Sequence, residues 1–543
     1  MISLTGGRII DPAHGRDEIA ELWIEDGRIA SRPAAGRASE TFDVSGKIVM
    51  AGAIDIHSHI AGANVNTARM LLPEQHRAHL PRPAGTPLTA LGWSTTETGR
   101  LYAIMGFTTV VEPAIAPHTA LHAHLELADT PIIDKAILAV LGDDDFLLSL
   151  LRRGEGANVV RDYVGSTLAS CRALGVKVVN AGGAMAFKHN VRSFGLDDIV
   201  PAYGVTSREI VTALQQAVQE LGVPHRLHVH CNNLGIPGNV ETALDTIKAL
   251  GGAPVHLAHM QFYSYGTEGE RGFSSAAARL AEAVNAAPHV SVDVGQLMFG
   301  QTVTVSSDVL RQFGARGLAR PNKSVIIDGD SNGGGIVPML YRRSSFTNAV
   351  QWAAGLELFL LINDPWRVFF TTDHPNGAPF TTYPDLFALL MDRELRAEWI
   401  EGLPKAALAM TTLPAIKREY TLSEIAWMTR AAPARLLGLH DRGHLGPGAI
   451  ADIAVYDDLS DRATMFRAAR LVLKDGDLVV RDGKIVRSKF GRTFHVAPDR
   501  HQAVEERLER YYDQFYGIPR RLFSVPEEAK GFLGSFETVP CAI

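Results

Sequence analysis

The stretch Ala53-Ile54-Asp55-Ile56-His57-Ser58-His59 ends an apolar run with two histidines two residues apart. In a strand, residues i and i+2 share a face, so both imidazoles can reach one metal ion. Alone, such a pair is a weak signal and is more often two partly exposed loop histidines. Gly175-Val176-Lys177-Val178-Val179 carries a lysine inside a near-continuous apolar run. A charged amine buried there without a partner is unfavourable. A salt bridge or a place at the strand end would satisfy it. So would carboxylation by carbon dioxide, which gives an anionic carbamate able to bridge two cations. Lys188 competes for that role from a loop-like stretch. His228 and His230 share one run, and His256 and His259 another. In each pair the later residue lies nearer the strand end, and the earlier one reads as core. Thr371-Thr372-Asp373-His374 closes the last run. Asp373 can bind a metal and exchange a proton with water there. A lone strand-end aspartate otherwise caps a helix or forms a turn.

The composition narrows the chemistry. The chain has 543 residues, with twenty histidines against three widely separated cysteines, Cys171, Cys231 and Cys541. A disulfide framework, a cysteine-rich zinc site and a four-cysteine iron–sulfur cluster are excluded. A metal centre must use imidazole and carboxylate, the set that suits zinc and related ions. The net charge of −6 offers no footprint for nucleic acid. No apolar run is long enough to span a membrane, and the N-terminus lacks a signal-peptide pattern, so the expected location is cytoplasmic.

The elements that position these residues follow from hydrophobic rhythm. Eight apolar runs alternate with helical stretches: 48–57, 106–114, 132–142, 175–182, 225–232, 254–262, 289–299 and 366–374. Buried runs flanked by helices indicate a parallel sheet covered on both faces. Eight of them suggest an α/β fold of the (β/α)8 TIM-barrel type, with catalytic groups at the C-terminal strand ends. A doubly wound sheet is the alternative, but no GxGxxG turn follows any run. A further run at 323–330 leaves the strand count uncertain by one. One helix is expected over 206–222, opening at Thr206 or Ser207 with Glu209 close behind, and another over 274–287. Both chain ends read as short strands with Asp-Gly turns at 26–27, 475–476 and 482–483. They form either one composite sheet or two unrelated ones. The expected boundaries are 1–50 and 436–492 for a small composite β-domain, 51–435 for the barrel and 493–543 for a C-terminal tail. The tail's charged helix with aromatics either packs on its own chain or docks a partner.

The order of candidates along the runs is His-x-His, Lys, His, His, Asp on the first, fourth, fifth, sixth and eighth. That pattern resembles the amidohydrolase superfamily, in particular its binuclear, carboxylysine-bridged group. The stretches GAIDIHSHIAG, GVKVVNAGG, HVHCNNLGIPGN, HLAHMQFYSYG, GGGIVPM and FFTTDHPNG are similar to the A-subunit family of formylmethanofuran dehydrogenases. They are equally similar to its bacterial counterpart in formyltransferase/hydrolase complexes. The resemblance covers roughly residues 1–490, all but the tail.

The resemblance implies two divalent cations, zinc foremost. His57 and His59 would hold the first, His230 and His259 the second, and carboxylated Lys177 would bridge them. Asp373 would bind the first and serve as catalytic base and acid. The implied substrate is N-formylmethanofuran, with methanofuran as coenzyme and formate as the other product. The implied partners are B-, C- and D-type subunits of the complex. Asn232, Asn233, Gln261, Tyr263 and His374 follow the ligands, where substrate contacts are expected. The glycine loop at 333–335 and the basic residues Arg342, Arg343 and Arg367 are further candidates for substrate approach. The excess of arginine over lysine points to a GC-rich bacterium and so to the hydrolase complex. Alternatives are an archaeal subunit condensing formate with methanofuran, a cyclic amidohydrolase of dihydroorotase or hydantoinase type, and a non-catalytic scaffold.

Overall fold

The structure is a computed structural model that describes residues 1–32, 38–71, 95–189, 191, 193–305 and 336–542, apart from the side chains of Phe187, Lys188 and Lys530. The expected run at 323–330, the glycine loop at 333–335 and the Lys188 side chain lie outside the described residues.

Eight parallel strands form the core: β1 (Ala53–Asp55), β2 (Phe107–Ile115), β3 (Asp134–Leu141), β4 (Gly175–Val179), β5 (Leu227–His230), β6 (Val255–Leu257), β7 (Val290–Asp293) and β8 (Val368–Phe369). Each pairs in parallel with the next in sequence. A parallel bridge between Ser58 and His374 joins the first strand to the last. Beside it the His59 amide donates to the His374 carbonyl at 2.8 Å. The fold is the α/β barrel expected from the eight runs. The strands are short and almost wholly buried, as Val-, Ile- and Ala-rich runs beneath covering helices must be.

Helix Ser207–Glu220, between β4 and β5, opens on a capping box. Thr206 accepts the Glu209 amide, and the Glu209 side chain accepts the Thr206 amide. The second expected helix spans Ala277–Ala286.

The run at 48–57 is not one strand. Lys47–Ala51 belongs to a different sheet, and the barrel begins only at Ala53. Gly52 makes the switch, where a Cβ would fall 2.2 Å from Thr108 Oγ1. A continuous apolar run carries no mark of this division, because both sheets bury their share of it. Among the described residues the second sheet has nine strands drawn from both chain ends. Lys47–Ala51 pairs antiparallel with Ile453–Asp457 and joins the two halves. Both residues of each Asp-Gly turn take positive φ, at Asp26-Gly27, Asp475-Gly476 and Asp482-Gly483, as type I′ hairpin turns require.

The final segment packs on its own chain. Thr493–His495 pairs in parallel with the start of β3, and Phe536–Thr538 adds beside it. Helix Ala503–Phe515 lies against helix Ala157–Cys171, burying Val504 and Leu508. A buried ion cluster ties barrel, second sheet and tail together. Asp134 on β3 accepts Lys474 Nζ at 2.8 Å, Arg442 Nε at 3.1 Å and the Arg492 amide at 2.7 Å. Lys474 also reaches Asp452 at 2.7 Å.

Removing one partner from such a cluster strands the others in a dry interior. Asp134→Asn should lower the unfolding free energy by about 3–5 kcal/mol. Asp17→Asn, which removes the half-exposed partner of Arg8, should change it by less than about 1 kcal/mol. Urea unfolding of both variants measures the contrast, and equal small losses would contradict it.

Candidate metal centre

The C-terminal ends of β1, β4, β5, β6 and β8 bring the sequence candidates to one end of the barrel. His57, His259 and Asp373 each present a ligand-type atom within 4.8 Å of the others. His57 Nε2 is 3.0 Å and His59 Nε2 3.3 Å from Asp373 Oδ1. The His230 ring centre lies 4.5 Å from that of His259, which lies 5.3 Å from that of His57. Lys177 pairs in register with His228 on β5, and its amine is within electrostatic reach of Asp293, Asp373 and Glu112. The set His57, His59, Lys177, His230, His259 and Asp373 therefore gathers in one place.

Two of these residues hold strained backbone. His259 has φ +36° and Asp373 φ +52°, a region that non-glycine residues avoid. Their amides are tied down. His259 N donates to Asp293 Oδ1 at 2.6 Å, and Asp373 N to Thr371 Oγ1 at 2.9 Å. Thr371 Oγ1 in turn donates to the His57 carbonyl at 2.6 Å, which links β8 to β1.

The electrostatics follow from burial and charge. Burial pushes the Lys177 ammonium down to about 8 against the pull of Asp293, Asp373 and Glu112. The neutral amine, the form that reacts with carbon dioxide, is thereby made accessible. Burial alone would lower His59, but Glu112 and Asp373 outweigh it and hold it up at about 9. Burial opposes the Asp373 charge as well, yet His57 and His259 keep its carboxyl well below the usual range. Asp373 is therefore an ionised acceptor at neutral pH.

Native interiors leave few polar atoms unpaired. Here His57 Nε2, His259 Nδ1, Asp373 Oδ1 and Lys177 Nζ are buried without a hydrogen bond of proper geometry among the described residues. Imidazole nitrogens and a carboxylate oxygen left in this way, beside an amine that can become a carbamate, form a donor set that fits divalent cations such as zinc.

Sequence reasoning missed two acids. Glu112, near the end of β2, accepts His59 Nδ1 at 3.0 Å and the amides of Ile60 and Ala61 at 2.6 and 3.0 Å. With Nδ1 donating to Glu112, the His59 ring is oriented so that Nε2 faces Asp373. Asp293, at the end of β7, lies 3.0 Å from both His57 Nδ1 and His256 Nε2. The strand-end rule applied to GFTTVVEPA and HVSVDVG would have found both. His228 and His256 are core residues, as read from their positions. His228 bridges His225 and His57 at 3.1 Å each, and His256 Nδ1 meets Ser291 Oγ at 3.0 Å.

The candidate substrate residues are placed variously. Asn232 donates to Ser207 Oγ at 2.9 Å, and Asn233 accepts the Phe194 amide at 2.9 Å, so both tie loops together. Gln261 Nε2 donates to the Tyr265 hydroxyl, leaving its buried Oε1 unpaired among the described residues. The Tyr263 hydroxyl donates to the Cys231 carbonyl at 2.6 Å, and its ring lies along His259 with centres 5.7 Å apart. His374 Nδ1 accepts the Phe380 amide at 3.2 Å. Arg367 precedes β8, at the opposite end of the barrel, where its guanidinium binds the carbonyls of Val284, Ala287 and Val290. It is a structural clamp and no path to the site. Arg343 stacks over Trp399 at 4.1 Å, and the Arg342 amide donates to Asn348 Oδ1.

Residues 40–487 match the profile of the amidohydrolase family. The chain belongs to the amidohydrolase family. It is similar to the A subunit of the formyltransferase/hydrolase complex Fhc of Methylorubrum extorquens, at 50% identity over the full length of both. Protein FwdA of Methanocaldococcus jannaschii is 37% identical over 97% of this chain and 96% of that protein. The fold superimposes with a TM-score of 0.94 on a chain in the crystal structure of the FhcABCD complex of M. extorquens with methylofuran, at 49% identity and complete coverage of both chains.

One contact in this amidohydrolase site admits only glycine. At Gly295, with φ +63°, a Cβ would lie 2.3 Å from His259 Cβ and 3.4 Å from Asp373 Cβ. Gly251, also at positive φ, has open space. Gly251→Ala should lower stability by about 1–2 kcal/mol from left-handed backbone alone. Gly295→Ala should lose more than that, because the His259 backbone must move as well. Thermal unfolding distinguishes the two, and equal losses would show that the site tolerates the displacement.

Proposed function

We propose that the chain is the A subunit of a formyltransferase/hydrolase complex and hydrolyses N-formylmethanofuran, or a closely related formylated coenzyme, to formate and the free amine. What carries this reading is the convergence at the barrel mouth of buried ligand-type atoms that lack a hydrogen bond of proper geometry among the described residues, in a chain half identical, end to end, to the Fhc A subunit. The identity to that protein, 50% against 37% for Protein FwdA, favours the formyltransferase/hydrolase complex as the setting.

His57, His59 and Asp373 are assigned to one divalent cation, His230 and His259 to a second, and carboxylated Lys177 to both. When bound, such cations acidify water and polarise the carbonyl of the amide under attack. The chain's own residues do the rest. Glu112 orients His59. Asp373 takes the proton from the attacking water and delivers it to the amine nitrogen as the C–N bond breaks. Amide and water thus become formate and amine with no other reactant. Asp373, its carboxyl held below the usual range by His57 and His259 against the cost of burial, is ionised when water arrives. Tyr263 and His374 flank the ligands and are assigned to the substrate wall.

The tail is the proposed seat of another component of the complex. Phe515, Tyr516, Ile518, Leu522 and Phe532 expose large apolar side chains there, and an apolar patch of this kind marks association.

Two experiments test the proposal. The purified complex should release formate from N-formylmethanofuran and leave dihydroorotate and hydantoin intact. Asp373→Asn should lower kcat by about 10²–10⁴-fold. Turnover of the cyclic amides without the formamide would replace the reading with a dihydroorotase-like one, and an unaffected Asp373→Asn would favour a scaffold. Separately, Phe515→Asp with Leu522→Asp should reduce recovery of the other subunits with the affinity-tagged chain while its barrel stays folded. Full recovery would place the docking surface elsewhere.

A further inference from the structure

Asp293 is fully buried at the end of β7, a strand that supplies none of the assigned ligands. Its two oxygens serve different partners. Oδ1 accepts the backbone N–H of His259 at 2.6 Å. Oδ2 lies 3.0 Å from His57 Nδ1, 3.0 Å from His256 Nε2 and 3.5 Å from His228 Nε2. His57 and His259 are assigned to different cations, so one carboxylate touches a ligand of each from beneath.

We propose that Asp293 is a positioning residue that sets the tautomer of His57 and the backbone of His259 together, so that both cation positions depend on it. The proposal deepens the functional reading above and rests on it. A neutral imidazole carries one N–H, and the nitrogen that carries it cannot ligate. An ionised carboxylate only accepts. Beside Oδ2, His57 therefore holds its proton on Nδ1 and leaves Nε2, 3.0 Å from Asp373, as the ligating atom. His228 Nε2 is equally close to His57 Nδ1, at 3.1 Å. An imidazole can donate or accept, so His228 alone would leave the tautomer open. His259 needs a fixed backbone because its left-handed φ of +36° is not self-sustaining. Oδ1 holds its amide from one side, while Gly295 leaves room for its Cβ on the other.

Asp293→Asn keeps the shape and changes the hydrogen-bond chemistry. Its amide nitrogen would face an N–H at one of three places: His57, His256 or the His259 backbone. If the oxygen stays on His259, the His57 proton is driven to Nε2 and ligation there is blocked. The test uses the purified complex, stripped with a chelator and titrated with zinc against a competing chromophoric chelator. Absorption of the cobalt-loaded protein serves as the spectroscopic readout. Wild type should take up two cations per chain. Asp293→Asn should bind both about 10- to 100-fold more weakly, with altered cobalt bands. Glu112→Gln, which touches only His59 among the assigned ligands, should weaken one position alone. Unchanged affinity in Asp293→Asn, or loss at a single position, overturns the proposal. Wild-type complex that takes up no cation overturns the functional reading along with it. If Asp293→Asn does not fold, neutron diffraction from the wild-type protein decides. A deuteron on His57 Nδ1 facing an ionised Asp293 supports the proposal. A deuteron on His57 Nε2 or on Asp293 overturns it.

Discussion

Desolvation of charge is the constraint on which this structure turns. One end of the barrel gathers several imidazoles, three carboxylates and an amine into a volume almost closed to water. Each group there is unfavourable unless another group, or a bound cation, satisfies it. The chain meets the demand in two tiers. Below, Asp293, His228 and His256 satisfy one another and His57 Nδ1, and Glu112 satisfies His59 Nδ1. Above, His57 Nε2 and Asp373 Oδ1 face each other at 3.0 Å without a hydrogen bond of proper geometry, and His259 Nδ1 and Lys177 Nζ have no hydrogen-bond partner among the described residues. The lower tier makes the upper one possible, because it fixes rings and backbone that would otherwise turn to satisfy themselves.

Barrel closure and assembly of the site are the same event. The bridge from Ser58 to His374 and the bond from His59 N to the His374 carbonyl join the first strand to the eighth. They also set His57 and His59 against Asp373. The Thr371 hydroxyl on the His57 carbonyl reinforces the same seam. At the other end, the Asp134–Lys474–Asp452–Arg442 cluster holds the second sheet and the final strands to β3. Rigidity at the base supports precision at the mouth, which a site of strained residues such as His259 and Asp373 needs.

Much of this was legible in the sequence where a local rule applies. Two histidines at i and i+2, a lysine inside a strand and an aspartate at a strand end are each local patterns. Their order along eight apolar runs made them one site. The Asp-Gly hairpins were legible because few residues accept consecutive left-handed conformations. The strand-end rule reaches Asp293 and Glu112 as well, but it does not show what they contact. Their partners His57 and His59 lie 236 and 53 residues away. The division at Gly52 was hidden for the same reason, since it depends on the approach of Thr108 from another strand. Arg367 misled because basic character says nothing about which end of a barrel a residue occupies.

The proposed function depends most on Lys177 entering the site as a carbamate anion. What supports this is its burial, which lowers its amine to about 8, and the lack of a hydrogen-bond partner for Nζ among the described residues. The most direct measurement is carbon-13 NMR of the zinc-loaded protein prepared with labelled bicarbonate. A carbamate carbon should be present at one per chain in the wild type and absent from Lys177→Ala, which should also fail to retain two cations. A fully active wild-type protein with two bound cations, a free Lys177 amine and no carbamate signal would contradict it.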